Sequence, residues 1–316
     1  MTTVADSVGR EGDRIPLSAR VYFIKLGEGG AWESLCLAGG TIKFGYHATP
    51  HDLCLGRNWE EVKAFWTRER KNAGTASNDT RQIRTYYEAS EQDIFITFSK
   101  GYLWWCRPKG APAVLADDDA RLRKTVDGWR NTSLAGEPLL ISRLSGKLTK
   151  TQMYQGTICE VEERSYLLRR LNDEKTPELA AVEATEQVLL AQVLAMVRLL
   201  TPVDFELMVE LIFSTSGWRR QARTGGTQKT IDLDLLLPST QERAFVQVKS
   251  RTTTSQFDGY ADEFAGTDAH ARMFYVWHTG TVDRTPPPRV TFWGPDIIAG
   301  RVLDAGLLGW LKDRIS

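Results

Sequence analysis

Two short segments in the C-terminal third constrain this chain more than anything else in it: TIDLDLLL (230–237) and RAFVQVKS (243–250). Side chains alternate along a strand, so Ile231, Leu233, Leu235 and Leu237 share one face of the first segment and Asp232 and Asp234 share the other. In the second segment Phe245, Gln247 and Lys249 lie on one face, with Val246 and Val248 opposite. Paired as a hairpin, the two strands bring Asp232 beside Gln247 and Lys249. A carboxylate, an amide and an amine gathered on an apolar strand pair have two readings. One is an interstrand ion pair beside a solvated glutamine. The other is a phosphodiester hydrolysis site, in which hard oxygen ligands hold Mg²⁺ (or Mn²⁺) and the amine orients the attacking water. In that reading Asp232 is the main metal ligand. Gln247 offers its amide oxygen, the backbone carbonyl of Val248 adds another, and Lys249 manages water and the charge developing on the phosphate. Asp234 has no assigned role.

The surrounding texture is that of an α/β unit. The expected order is helix VDFELMVELIFSTSG, the two strands, helix SQFDGYADEFAG, strands ARMFYVWH and RVTFWG, and closing helix IAGRVLDAGLLGWLKDR. Over residues 203–315 the sequence resembles the Mrr-like branch of the PD-(D/E)xK restriction endonucleases, which carries a QxK form of the motif. The residues behind the resemblance are Phe205-Glu206, Gly217, Gly225-Gly226, Ile231-Asp232, VQVKS, MFYVW and GLLGWL. The resemblance implies a core of Asp232, Gln247 and Lys249, with Glu206 as a second acidic metal ligand from the helix and Glu210 as the alternative. A basic stretch, Arg219, Arg220, Arg223 and Lys229, suits phosphate contacts; a solvated surface would read the same way.

Residues 19–175 read as a β domain dense in aromatic side chains. RVYFIKL, GTIKFGYH, DIFITFSKGYLWWC, EPLLISRL, GTICEVEE and YLLRRL are strand candidates. NWEEVKAFWTRER is a helix and KNAGTASND a polar loop. The pattern WESLCLAGGTIKFGYH, a helix, then YYEASEQDIFITFSKGYLWWC resembles PUA/EVE-like modified-base readers. That resemblance implies a PUA-like β-barrel with a pocket for a flipped base, drawn from Trp32, Tyr46, Tyr87, Trp104 and Trp105. Each of these also reads as core, since aromatic residues in strands are more often core than cage, and Trp104 and Trp105 point to opposite faces of any strand that holds both.

Composition narrows the classes. The 316 residues carry 40 basic and 40 acidic side chains, so no global basicity drives nucleic-acid binding; basic and acidic patches must be separated in space. The four cysteines form no CxxC pair, and no zinc is expected. The polar first eighteen residues read as a flexible tail without a signal peptide, and the apolar run Val188–Leu200 is shorter than a membrane span. Together these give an α+β / α/β two-domain protein: tail 1–18, reader domain 19–175, connecting helix 176–201, and at 202–316 a restriction-endonuclease-like αβ sandwich with a central mixed sheet. A helical linker and a first helix of the next domain look alike at 176–201. The expected protein is a cytoplasmic, Mg²⁺-dependent endonuclease acting on modified double-stranded DNA as a homodimer, with no membrane partner. A signal-activated nuclease and a non-catalytic DNA-binding protein are the competing readings.

Overall fold

The computed structural model describes residues 14–70, 72–115, 120–221, 232–266 and 268–316. The chain divides into two compact units, with the break between Thr176 and Pro177. In the first unit the strands are β1 (Val21–Ile24), β2 (Thr41–Phe44), β3 (Ile94–Ser99), β4 (Tyr102–Cys106), β5 (Pro108–Val114), β6 (Arg121–Thr125) and β7 (Ile158–Glu160). Its helices are α1 (Glu33–Gly39), α2 (His51–Leu55), α3 (Trp59–Arg70), α4 (Ala73–Glu88), α5 (Gly146–Thr149) and α6 (Arg164–Leu171).

These strands form two separate sheets. One has the order β4-β3-β1-β7, with β1 and β3 parallel; the other is antiparallel, in the order β2-β6-β5. Among the described residues there is no closed barrel, which corrects the PUA-like barrel expected from the sequence. Three segments explain the difference. YLLRRL lies in α6, because Leu167, Leu168 and Leu171 fall on one helical face and are buried there. Most of KNAGTASND lies in α4, whose N-terminus is capped by the Asn72 side chain accepting from the Thr75 amide at 3.0 Å. EPLLISRL makes isolated bridges at Pro138 and Leu140 and a 3₁₀ turn at Ile141–Arg143 in place of a strand. Fewer strands remain, and α3 and α4 fill the core instead: Val62, Trp66, Ile83 and Tyr86 pack with Tyr22, Ile24 and Phe95 of one sheet and Ile42 and Phe44 of the other. Ile15 lies within the segment expected as a tail. The Ile15 amide donates to Asn172 Oδ1 at 2.9 Å and Ile15 is buried.

The second unit contains α7 (Pro177–Val197), α8 (Pro202–Thr215), β8 (Arg219–Arg220), β9 (Leu233–Leu237), β10 (Glu242–Thr252), α9 (Thr254–Ala265), β11 (Arg272–Gly280), β12 (Val290–Trp293), α10 (Pro295–Asp304) and α11 (Leu308–Ile315). Its mixed sheet runs β12-β11-β10-β9-β8, parallel from β10 to β12 and antiparallel from β10 to β8. Leu233, Leu235, Val246, Val248, Phe274 and Val276 face a core built with α7, α8, α10 and α11. The opposite face, carrying Phe245, Met273, Tyr275 and Trp277, is covered by Phe257 and Phe264 of α9. Helix α7 belongs to this unit, since Val193 and Val197 are fully buried in its core. At 21 residues, with a mean hydropathy of 1.4 over 18 of them, α7 is also long and apolar enough to span a membrane by length and composition. The run is therefore longer than Val188–Leu200 suggests, because the alanine-rich first turns extend it.

Candidate active site

The site is set by the register of β9 on β10. Phe245 pairs with Asp234 and Val246 with Leu233, so one further step places Gln247 opposite Asp232. Residues paired across a ladder share a face, so Asp232, Gln247 and Lys249 stand together on the side that α9 covers. The contacts agree. Asp232 Oδ2 accepts a hydrogen bond from Gln247 Nε2 at 2.5 Å and another from the Val248 amide at 2.7 Å. Lys249 Nζ is 4.0 Å from the same oxygen and 5.1 Å from the centre of the Tyr260 ring, which α9 supplies. The amine thus sits between a carboxylate and an aromatic face, at a distance from Asp232 that a shared water can bridge.

Burial differs sharply within the cluster. Asp232 and Lys249 keep roughly a quarter of their side-chain surface, whereas Gln247 is 1% exposed. Its Oε1 is buried without a hydrogen-bond partner among the described residues. An unpaired buried carbonyl costs about 1–3 kcal/mol, a cost a strand can avoid with valine or leucine at that position. No partner of Asp232 Oδ1 is found among the described residues either. Within a strand, a residue's N–H and C=O point to the same lateral side; the Val248 carbonyl is therefore directed toward the edge on which its amide meets Asp232. Asp232 Oδ1, the Gln247 amide oxygen and the Val248 carbonyl are oxygen donors of the kind that divalent cations such as Mg²⁺ take, while Oδ2 is engaged by its two hydrogen bonds. Among the described residues no group of three His, Cys, Asp or Glu side chains is placed to hold a metal, so this set depends on neutral oxygens. Behind it, burial pushes the Tyr275 hydroxyl up, and a 2.6 Å hydrogen bond with Thr252 Oγ1 opposes the shift. Tyr275 therefore adds no charge.

The acidic side chains of α8 are engaged by Arg220, which is 2.5 Å from Glu210 and 3.8 Å from Glu206. Arg219 and Arg220 form the exposed edge strand β8. Arg223, Lys229, Gly225-Gly226 and Ile231 lie outside the described residues. Asp234 is accounted for by structure: it pairs with Arg243 at 2.7 Å and with His270 at 3.2 Å.

In the first unit, the five aromatic residues drawn from the sequence go to different places. Trp32 and Tyr46 line one cavity. Tyr87 is turned toward α2, its hydroxyl accepting from Arg121 Nε at 2.9 Å and lying 2.8 Å from His51 Nδ1. Trp105 is core: it is buried among Val21, Phe23 and Leu103, with its indole N–H on the Thr132 carbonyl at 2.8 Å. Trp104, on the other face of β4, packs beside the opposite core and donates to the Ser99 carbonyl at 3.2 Å. Trp66 and Arg70 also wall the cavity, and neither was among the pocket residues expected from the sequence. Their spacing of four residues on α3 was the available signal, but it reads equally as a helix face.

No protein family, no curated protein and no solved structure matches this chain.

Proposed function

We propose that the second unit is a divalent-metal-dependent deoxyribonuclease of the PD-(D/E)xK type, and that the first unit directs it to DNA carrying a modified base. The observation that carries the catalytic half is the buried, unpartnered Gln247 Oε1 beside Asp232 and Lys249 on one sheet face. An ion pair alone requires no buried glutamine.

In this reading Asp232, Gln247 Oε1 and the Val248 carbonyl would hold Mg²⁺; Glu206, the acidic contributor that the resemblance implies, stands on α8 at the other face of the sheet, 3.8 Å from Arg220, and would have to leave that contact to join them. A bound Mg²⁺ supplies Lewis acidity toward the phosphate and lowers the pKa of water on it. Lys249 donates hydrogen bonds to the attacking water and to the phosphate oxygens on which negative charge accumulates. The Tyr260 ring, 5.1 Å from the Lys249 amine, helps to position it beside Asp232. Helix α9 keeps bulk water from the sheet face through Phe257 and Phe264. Cutting both strands of a duplex takes two such sites, and a homodimer on DNA supplies them.

The test is incubation of the purified protein and its Asp232→Ala variant with Mg²⁺ and matched duplexes: unmodified, methylated, hydroxymethylated and glucosylated. The reading expects the wild type to cut one modified duplex and the variant to cut none. Equal cutting of every duplex removes modified-base selection. Absence of cutting under all conditions removes the nuclease.

A further inference from the structure

Helix α7 reaches its own core only through its last turns. Val193 and Val197 are fully buried, and Leu190, Leu194 and Met196 pack beside them. From Pro177 to Gln192 no residue is buried. Helical spacing puts Glu183 and Glu186 in line with Leu190, Val193 and Val197, so the carboxylates of this stretch continue the coreward face. The outward face is the inverse of what water favours. It carries Ala181, Ala184, Val188, Ala191 and Ala195, alternately three and four residues apart, all exposed and none charged. Val182 and Val188 are 63% and 62% exposed, and Leu189 flanks them at 40%. Thr185, on the same stripe, donates its hydroxyl to the Ala181 carbonyl at 2.8 Å and so needs no water for that proton.

Apolar residues alternating at three and four positions form the seam of a helix pair, and alanine on that seam lets two helix axes approach to about 8 Å. The stripe also reads the same from either end. Ala181 and Ala195 each stand seven residues from Val188, and Ala184 and Ala191 stand four and three from it. A two-fold axis at Val188 therefore lays the stripe antiparallel on its own copy, alanine toward alanine and valine on valine, which is the self-complementarity a closed dimer needs. The area is also adequate. A helix of 21 residues is about 31 Å long, and with its water layer about 14 Å wide, so full contact covers roughly 430 Å² on each copy. The total, about 900 Å², lies above most crystal contacts and toward the lower end of specific interfaces. A bilayer is the poorer occupant: it takes about 20 apolar residues clear of the fold, whereas here the free stretch holds three carboxylates and the last turns are fixed in the core.

We infer that α7 is a docking surface for a second copy of this chain, the two helices packing antiparallel about Val188. The nuclease reading asks for two copies on DNA but names no surface. This pairing needs neither DNA nor metal, and it stands or falls independently of that reading.

Sedimentation velocity of the full chain, in EDTA and without DNA, is expected to show monomer and dimer in exchange with a Kd on the order of micromolar. Val188→Glu sets like charges across the axis and is expected to raise that Kd about tenfold or more, and Ala184→Arg to do the same. Both positions are exposed, so each variant should keep its fold, which far-UV dichroism and a thermal melt check. Orientation is read by cross-linking. Ala181→Cys and Ala195→Cys proteins, oxidised with copper phenanthroline, are expected to join when mixed and not when treated singly, against the wild type as background. Joining of each variant with itself means parallel helices and overturns the axis. A chain that stays monomeric at every concentration overturns the inference, as does a dimer whose Kd is unchanged in folded Val188→Glu and Ala184→Arg proteins. Flotation with phosphatidylcholine–phosphatidylglycerol vesicles covers the remaining occupant: a monomer that floats, and that Val188→Glu releases, assigns the face to lipid and overturns the pairing. Because cutting is never read, failure of the nuclease assignment leaves this outcome intact.

Discussion

Replacing Gln247 by glutamate tests the geometry of the site through stability alone. In the wild type the Gln247 amide donates to Asp232 at 2.5 Å. Gln247→Glu exchanges that donor for a second carboxylate in a position that is 1% exposed. Two charges 4 Å apart at an effective dielectric near 20 repel by about 4 kcal/mol. Protonation caps the penalty. Holding one carboxyl neutral at pH 7 costs about 1.36 × (7 − 4.3), or roughly 3.7 kcal/mol. The two routes agree, so the metal-free variant should be about 4 kcal/mol less stable at pH 7. In a unit of this size that lowers the unfolding midpoint by on the order of 10 °C. The sign with pH follows from a folded-state pKa raised above the unfolded one. Here the unfolded state is the more ionised, so the penalty is full at neutral pH and shrinks to about 1 kcal/mol at pH 5. A cation between the carboxylates reverses the repulsion, so 5 mM Mg²⁺ should raise the midpoint of the variant far more than that of the wild type. Thermal unfolding followed by circular dichroism, in EDTA and in Mg²⁺ at pH 7 and pH 5, reads all four quantities. A variant melting within 1 °C of wild type in EDTA at pH 7, with no response to Mg²⁺, refutes the placement of Gln247 against Asp232.

Three further outcomes follow from the same structure. Asp234→Ala removes an exposed ion pair with Arg243 and takes the 3.2 Å partner from the buried His270 ring, so urea denaturation should show a loss of about 1–3 kcal/mol, and cleavage should be unchanged. Gly280→Ala should cost about 3 kcal/mol by the same measurement, because φ is +93° there and a Cβ would fall 2.1 Å from the Thr252 carbonyl oxygen. His278 titrates below its ordinary value, through burial first and Arg198 second. Its neutral form therefore stabilises the fold above the unfolded pKa, and this contribution is lost as pH falls below about 6.5. The unfolding midpoint of the wild type should drop between pH 7 and pH 5 more steeply than that of His278→Phe; equal slopes count against this role.

The second unit was largely legible because its strands alternate strictly: Asp232 and Asp234 against Leu233 and Leu235, Gln247 and Lys249 against Val246 and Val248. A period of two fixes faces, and a short hairpin fixes partners. The roles of the two aspartates were not legible, since what separates them is Arg243 and His270, of which His270 approaches from a distant loop. The first unit hid more. RLRKT forms β6 although Arg121 and Arg123 are 3% exposed, because their terminal guanidinium nitrogens donate to carbonyls of Thr49, Tyr86, Ala89 and Gly110, distant in sequence. Local propensity carries no trace of such partners. Likewise Asn72 as a helix cap and small polar residues on a buried helix face made KNAGTASND look like a loop.

The Val248 amide donates to the carboxylate of Asp232. An amide proton facing an anion resonates downfield of one facing a carbonyl, and it moves when that anion is protonated or shared. The Val248 crosspeak of an isotopically labelled sample is therefore an indicator built into the backbone, reporting the state of Asp232 residue by residue in a titration without a substrate, a dye or a mutation.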